Sequence, residues 1–284
     1  MRTKHKLSLP SHAPEESEKK EGIKARTSPP GEVVYGAVYK EGKHELNRGS
    51  RALALSGFAA GMSMGFSFIT EGLLRAHLPE APWRILITKL GYSVGFIIVI
   101  LGRQQLFTKN TLTVILPLLN ERSLSHLLNV ARLWSVVLLT NLIGAILFAI
   151  LLAKTSLFEA RFHSAFAAIA TEEINPDFGP VLVKAIFAGW LIALMIWLLP
   201  FAEAARVWVI ALLAYVVGLG HFSHIIAGTV SSGYLVLINE LTIPNWLFDF
   251  FLPVLLGNII GGVALVAAMA HTEFLYEGRR NAED

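Results

Sequence analysis

The chain has 284 residues, 54% of them hydrophobic and only 16% charged, with a formal net charge of +3. Soluble domains carry about 25% charged residues, so this composition excludes an ordinary soluble fold and points to lipid as solvent. It contains no cysteine, which excludes disulfides, thiol catalysis and Cys-ligated metal.

The charge is uneven, since 11 of the 24 Lys and Arg precede residue 52. Residues 1–32, rich in Lys, Glu, Ser and Pro, read as disordered. Residues 40–51 are charged and abut the first apolar segment, so they are expected at the cytoplasmic interface. Residues 1–51 hold no apolar run that a cleavable signal would need, and the tail is expected to stay on the protein. The domain reading is therefore a largely disordered cytoplasmic tail over 1–51, a membrane domain over 52–272 and a cytoplasmic tail over 273–284.

Six spans are expected, each near the roughly 20 residues a bilayer requires. The first covers about 52–74, where Gly57, Gly61 and Gly65 recur every fourth residue and allow close helix packing. The second, about 85–119, is too long for one helix and is interrupted at 102–110. The third covers about 133–153. Phe158, Phe162, Phe166 and Ile169 follow at helical spacing and read as an interfacial helix. The fourth covers about 181–199 and the sixth about 247–270.

The fifth, about 207–238, is interrupted near its middle by Gly218-Leu-Gly-His-Phe-Ser-His-Ile-Ile-Ala-Gly-Thr229. Imidazoles at bilayer depth are costly unless they face a cavity, a pore or a partner. Non-helical backbone at that depth is tolerated only where protein buries it or water lines it. The segment therefore reads as a discontinuous helix broken at the midplane, with a pore organised around His224.

Orientation follows from Lys and Arg in short flanks. With the N-terminus inside, the inner flanks hold nine: Lys40, Lys43, Arg48, Arg51, Arg122, Arg132, Arg206, Arg279 and Arg280. The outer flanks hold six: Arg75, Arg84, Lys89, Lys154, Arg161 and Lys184. Both termini are expected in the cytoplasm.

An internal repeat is visible. Asn141-Leu-Ile-Gly144 in the third span answers Asn258-Ile-Ile-Gly261 in the sixth, with 258 − 141 = 117. Thr108 in the second interruption answers His224 in the fifth, with 224 − 108 = 116. A duplicated unit of three spans inserts its second copy upside down, because three is odd. Inverted repeats with paired broken helices are a pattern of channels and transporters.

Four pieces carry a family resemblance: Leu106-Phe107-Thr108, Asn141-Leu-Ile-Gly144, His224 with Ile226-Ala227, and Gly257-Asn258-Ile-Ile-Gly261-Gly262. Across 52–272 the chain resembles the formate/nitrite transporter family, in a divergent branch of bacterial inner-membrane proteins. The resemblance implies an all-α integral membrane fold of six transmembrane helices, an aquaporin-like 3+3 inverted repeat with broken second and fifth helices. It also implies a homopentamer with one pore per protomer, in lipid, with a small anion as substrate and no nucleic-acid partner. In that family the Leu and Phe of the motif form hydrophobic constrictions, with the Thr and His between them. By resemblance these are Leu106, Phe107, Thr108 and His224.

The departures fall on the pore. Typical Gly-Phe-Glu-His-Ser reads His221-Phe222-Ser223-His224-Ile225, and Gly-Ala-Asp before the Leu-Phe-Thr motif reads Arg103-Gln104-Gln105. A family Asn of the fourth span corresponds to Ala193, and a constriction Phe to Val217. Pore or substrate contact is thus expected of Leu106, Phe107, Thr108, Ala193, Val217, His221, Phe222 and His224. Asn141, Gly144, Asn258 and Gly261 are expected to pack helices.

A bare anion in a dry slot is unstable by many kcal/mol, so an anion pore must supply donors or hand over a proton. Imidazole does either, and Thr108 adds a hydroxyl. His224 and His221 also fit structural roles, bonded to carbonyls that a break frees. Arg103 and Lys109 either draw anions in, snorkel, or pair with a carboxylate such as Glu71 or Asp249. The sequence holds no protease dyad, metalloprotease motif or nucleotide-binding loop, and no catalytic residue, cofactor or metal is expected. The reading is a channel or transporter for small monovalent anions or their conjugate acids. The alternatives are a channel for neutral solutes such as water or ammonia, or a non-conducting regulatory relative.

Overall fold

The computed structural model describes residues 31–174 and 176–267. Within them the secondary structure is entirely helical. Helix α1 (Gly31–Leu46) precedes α2 (Ser50–His77). Helix α3 (Arg84–Leu101) passes through one 3-10 turn at Lys89–Gly91 and then breaks. The chain resumes as α4 (Phe107–Thr113) and α5 (Ile115–Asn120). Next come α6 (Leu124–Lys154), α7 (Ala160–Glu173) and α8 (Phe178–Leu198). Helices α9 (Arg206–Leu219) and α10 (Ile225–Leu237) flank the second break. Helix α11 (Leu252–Ile260) sits between π-helical turns Trp246–Phe251 and Gly261–Ala267.

Among the described residues, five segments are long and apolar enough to cross a bilayer: Ser50–His77, Arg84–Leu101, Leu124–Lys154, Phe178–Phe201 and Ile243–Ala264. The expected fifth span exists as two short helices, α9 of 14 residues and α10 of 13. At 1.5 Å per residue each reaches only about 20 Å, short of a hydrocarbon core of about 30 Å. Residues 1–30, the last residues of the expected sixth span and the 273–284 tail lie outside the described residues.

One expectation is corrected here. Residues 31–46, assigned to a largely disordered tail, form a helix. Its Tyr35, Val38 and Leu46 are buried, and its charges meet partners that only folding brings near. Lys109 lies 2.7 Å from Glu41 and 3.5 Å from Glu45, while Tyr39 and Lys43 both reach Glu121. Composition registers charge but not complementary charge 60 residues away. The aromatic helix α7, read as interfacial, buries Phe162, Phe166 and Ile169. It docks on α2 and α10 within the protein.

The glycine row packs as expected. A Cβ at Gly57 would strike the Thr140 side chain, and one at Gly61 the Asn141 carbonyl. From the other side, Gly144 lies against the Phe58 carbonyl. Helices α8 and α11 cross in the same manner, with Gly189 against Asn258 and Gly261 against the Ile186 carbonyl. Gly144 and Gly261 thus do hold helices together, through backbone-to-backbone contact that any side chain would block.

Candidate functional site: two matched helix breaks

The two breaks have the same backbone. Gly102 and Gly220 end their helices at φ −71°, ψ 0° and φ −76°, ψ −2°. Arg103 and His221 follow in the left-handed region, at φ 50° and 48°. Gln104 N–H donates to Val99 C=O at 2.9 Å, and Phe222 N–H to Val217 C=O at 3.0 Å. Arg103 N–H donates to Ile100 C=O and His221 N–H to Gly218 C=O, both at 3.1 Å. These paired six-to-one and five-to-two bonds are Schellman caps, with Arg103 and His221 at the residue where glycine is favoured. Leu106 and His224 then start the next helices from extended backbone, at φ −105°, ψ 128° and φ −111°, ψ 127°.

Every one of these pairs is separated by 118, as in 221 − 103 and 224 − 106. This corrects the 116-residue correspondence. Leu106, not Thr108, is the positional counterpart of His224. Thr108 is its hydrogen-bond partner.

Asn141 and Asn258 fasten the breaks. Asn141 Oδ1 accepts from Phe107 N–H at 2.9 Å, and its Nδ2 donates to Gly57 C=O at 2.7 Å and Gln105 C=O at 2.8 Å. Asn258 Oδ1 accepts from Ile225 N–H, and its Nδ2 donates to Ala185 C=O and Ser223 C=O, all at 2.9 Å. A broken helix leaves backbone donors and acceptors without intrahelical partners. Each amide gives its break one acceptor and one donor, and its second donor ties the break to a neighbouring helix at Gly57 or Ala185. The two Asn are thus more than packing residues.

His224 is 1% exposed and Thr108 fully buried, and Thr108 Oγ1 lies 2.7 Å from His224 Nε2. His224 Nδ1 accepts from Ala227 N–H at 3.2 Å, capping α10. An acceptor nitrogen carries no proton, so this arrangement is that of a neutral imidazole with hydrogen on Nε2. Nε2–H donates to Thr108, whose own hydroxyl proton is then free to point elsewhere. The Phe96 ring stands edge-on to the imidazole at 5.0 Å.

Of three cavities in the described residues, one reaches His224. The first, of about 460 Å³, opens beside α1 and is lined by Glu41, Arg103, Gln104, Lys109 and Arg206. A narrow one of about 20 Å³ is lined by Tyr92, Glu173, Val217, His221, Phe222 and His224. That is room for about one water. A third, of about 200 Å³, is lined by Arg75, Arg84, Lys89, Glu172 and His221. Val217, His221 and Phe222 therefore gather with His224 around the narrow cavity. Leu106, Phe107, Thr108 and Ala193 are buried but line none of the three. Phe107 packs edge-on against Trp134, with ring centroids 5.7 Å apart.

The expected partners of Lys109 are also corrected. It pairs with Glu41 and Glu45, while Glu71 takes Lys89 at 2.7 Å, with both side chains 2% exposed. Glu173 stands 3.9 Å from Lys89 and accepts from Ser231. Burial pushes the Glu45 carboxyl up, but Lys109, Gln105 and Arg48 outweigh it and hold it below its ordinary value. Among the described residues, no three His, Asp or Glu side chains cluster to hold a metal ion. Sequence reasoning missed Phe96, Tyr92, Lys89 and Glu173. Nothing in their local pattern marks them, because they reach the site from other helices.

Residues 32–272 match the profile of the family described as formate/nitrite transporter. Inner membrane protein YfdC of Escherichia coli (strain K12) is 37% identical over 253 residues, covering 88% of this chain and 82% of that protein. The formate channel BtFdhC of Bacillus thuringiensis is 26% identical, covering 83% of this chain and 92% of that protein. The solved structure of a pentameric formate channel with formate bound is similar in fold, with TM-score 0.69 and 22% identity. It covers 80% of this chain and 98% of that one.

Proposed function

The chain belongs to the formate/nitrite transporter family, and on that premise we propose that it conducts small monovalent anions or their conjugate acids across a bacterial inner membrane. The observation that carries the reading is the buried Thr108–His224 pair between two matched helix breaks. An anion entering a dry site needs donors that replace its water. Nε2–H of His224 and the Thr108 hydroxyl form a short donor relay, and α10 begins at the site with its positive end toward it. The work is recognition and passage across the membrane, not bond-making chemistry.

The finer architecture belongs to this proposal. The 118-residue match of the breaks and the paired Asn anchors support six spans in a 3+3 inverted repeat, with the second and fifth broken. Residues 52–272 form the channel domain. The tails 1–51 and 273–284 lie in the cytoplasm, with α1 docked on the domain. A homopentamer is supported by the similar pentameric channel and by exposed Leu139, Ile143, Leu147 and Ile150 along α6, a face for lipid or a neighbouring protomer. Pore contacts are assigned to Leu106, Phe107, Thr108, Ala193, Val217, His221, Phe222 and His224.

The test is a proteoliposome flux panel of formate, nitrite, acetate, hydrosulfide, chloride, water and ammonia at several pH values, with wild type and His224→Ala. Anion flux that rises as pH falls and responds to His224→Ala is the expected result. Flux of water or ammonia alone, indifferent to His224, assigns a neutral-solute channel. No flux of any solute assigns a regulatory relative.

A further inference from the structure

Each Schellman position carries a side chain that can bear positive charge, at a residue where glycine is favoured. Arg103 and His221 hold φ 50° and 48°. Non-glycine residues in that region are strained by about 1 kcal/mol or more. Strain maintained at two matched positions asks for a use. The two positions line different cavities. Arg103 lines the cavity beside α1, with Lys109 and Arg206. His221 lines two others, the wide one beside Arg75 and Arg84 and the narrow one that includes His224. It is the residue common to those two cavities.

The fixed charges facing His221 are largely matched among themselves. From α3 comes Lys89, bound to Glu71 and near Glu173. From α7 come Glu172 and Glu173, of which Glu172 takes Arg75 at 2.6 Å. From α8 comes Lys184. Tyr92 lines the same narrow cavity. The Nδ1 atom of His221 is buried with no protein partner among the described residues. His221, shared by the vestibule and the narrow cavity, can therefore add a positive charge between the vestibule and His224.

We infer that His221 is a switchable cationic threshold between the vestibule and the central site, so that the pH on that side sets anion entry from that side. Arg103 gives the other mouth a permanent charge, so entry there is not switched in the same range. The inference rests on the anion-passage reading above and adds its regulation. It predicts an asymmetric response. Entry on the His221 side rises as the pH on that side falls, because an imidazole gains its charge in acid, while entry past Arg103 does not change in this way.

Two experiments decide this. The chain lacks cysteine, so His221→Cys and Arg103→Cys each carry a single thiol. An impermeant anionic thiol reagent is expected to modify His221→Cys from one face of the membrane and Arg103→Cys from the other. Modification of both from the same face overturns the inference. In sided vesicles, formate entry is then measured in wild type, His221→Gly and His221→Gln while the pH on the His221 side alone is varied. Taking the wild-type-to-variant ratio at each pH cancels the titration of formate itself. The ratio is expected to rise several-fold as that pH falls. The glycine variant also relieves the strained φ, which guards against a folding defect. A flat ratio with strong anion flux overturns this inference alone, whereas absence of anion flux in wild type overturns the anion reading and this inference with it.

Discussion

Thr108 and His224 meet at 2.7 Å although 116 positions separate them. Neither would be accessible to the other in a continuous helix. Each enters the site because its own helix breaks and restarts there. The cap from Ala227 N–H holds Nδ1 as an acceptor, so the imidazole presents Nε2–H to Thr108. Thr108→Val keeps the shape and removes the hydroxyl. Proteoliposome anion flux is expected to fall by about tenfold or more, the effect of roughly 1.4 kcal/mol on a barrier. Thr108→Ser is expected to retain most of it. Equal flux in wild type and Thr108→Val would remove Thr108 from the site.

The Asn anchors are expected to behave as a matched pair. Asn141→Ala leaves Phe107 N–H and the Gln105 carbonyl without their partner, and Asn258→Ala does the same to Ile225 N–H and the Ser223 carbonyl. A buried donor or acceptor left alone costs about 1–3 kcal/mol. Both substitutions are expected to lower thermal stability in detergent by similar amounts. A large loss at one and none at the other would contradict the equivalence of the breaks.

Lys89 and Glu71 form a nearly inaccessible ion pair. Removing one partner leaves an uncompensated charge and is expected to cost about 3–5 kcal/mol. Lys89→Met and Glu71→Gln are each expected to destabilise strongly, and the double variant to recover part of the loss. A double-mutant cycle with no coupling would refute the pairing.

The docking of α1 is expected to depend on acid. The Glu45 carboxyl is held below its ordinary value of 4.5 by Lys109, Gln105 and Arg48 against the opposing effect of burial. A depressed carboxylate contributes stability that is full above its unfolded value and lost as pH falls through its folded value. Protease cleavage near residue 31 is therefore expected to speed up below about pH 4.5. Glu45→Gln should reduce that acid sensitivity. Equal protection at neutral and strongly acid pH would contradict it.

Helix contact at Gly61 leaves no room for a side chain, since a Cβ there meets the Asn141 carbonyl. Gly61→Leu is expected to prevent folded protein from accumulating, whereas Gly36→Ala, in open space, is expected to be neutral. Expression and size-exclusion profiles of the two variants distinguish them.

The sequence by itself determined the membrane class, the apolar segments, both breaks and the Asn-x-x-Gly recurrence. These are local properties: hydrophobic length, glycine where backbone must turn, and imidazole where lipid would not tolerate it. The row Gly57, Gly61 and Gly65 was legible for the same reason, because small residues at helical spacing define a face before any partner is known. Tertiary structure alone decided that Leu106 is the counterpart of His224 and Thr108 its partner. It alone decided that Lys109 answers Glu41 and Glu45 while Glu71 answers Lys89, and that Glu173 reaches the narrow cavity beside His221. Each of these depends on contacts between segments far apart in the chain. A carboxylate or a lysine looks the same in sequence whether it faces water or its opposite charge, and only packing chooses between them.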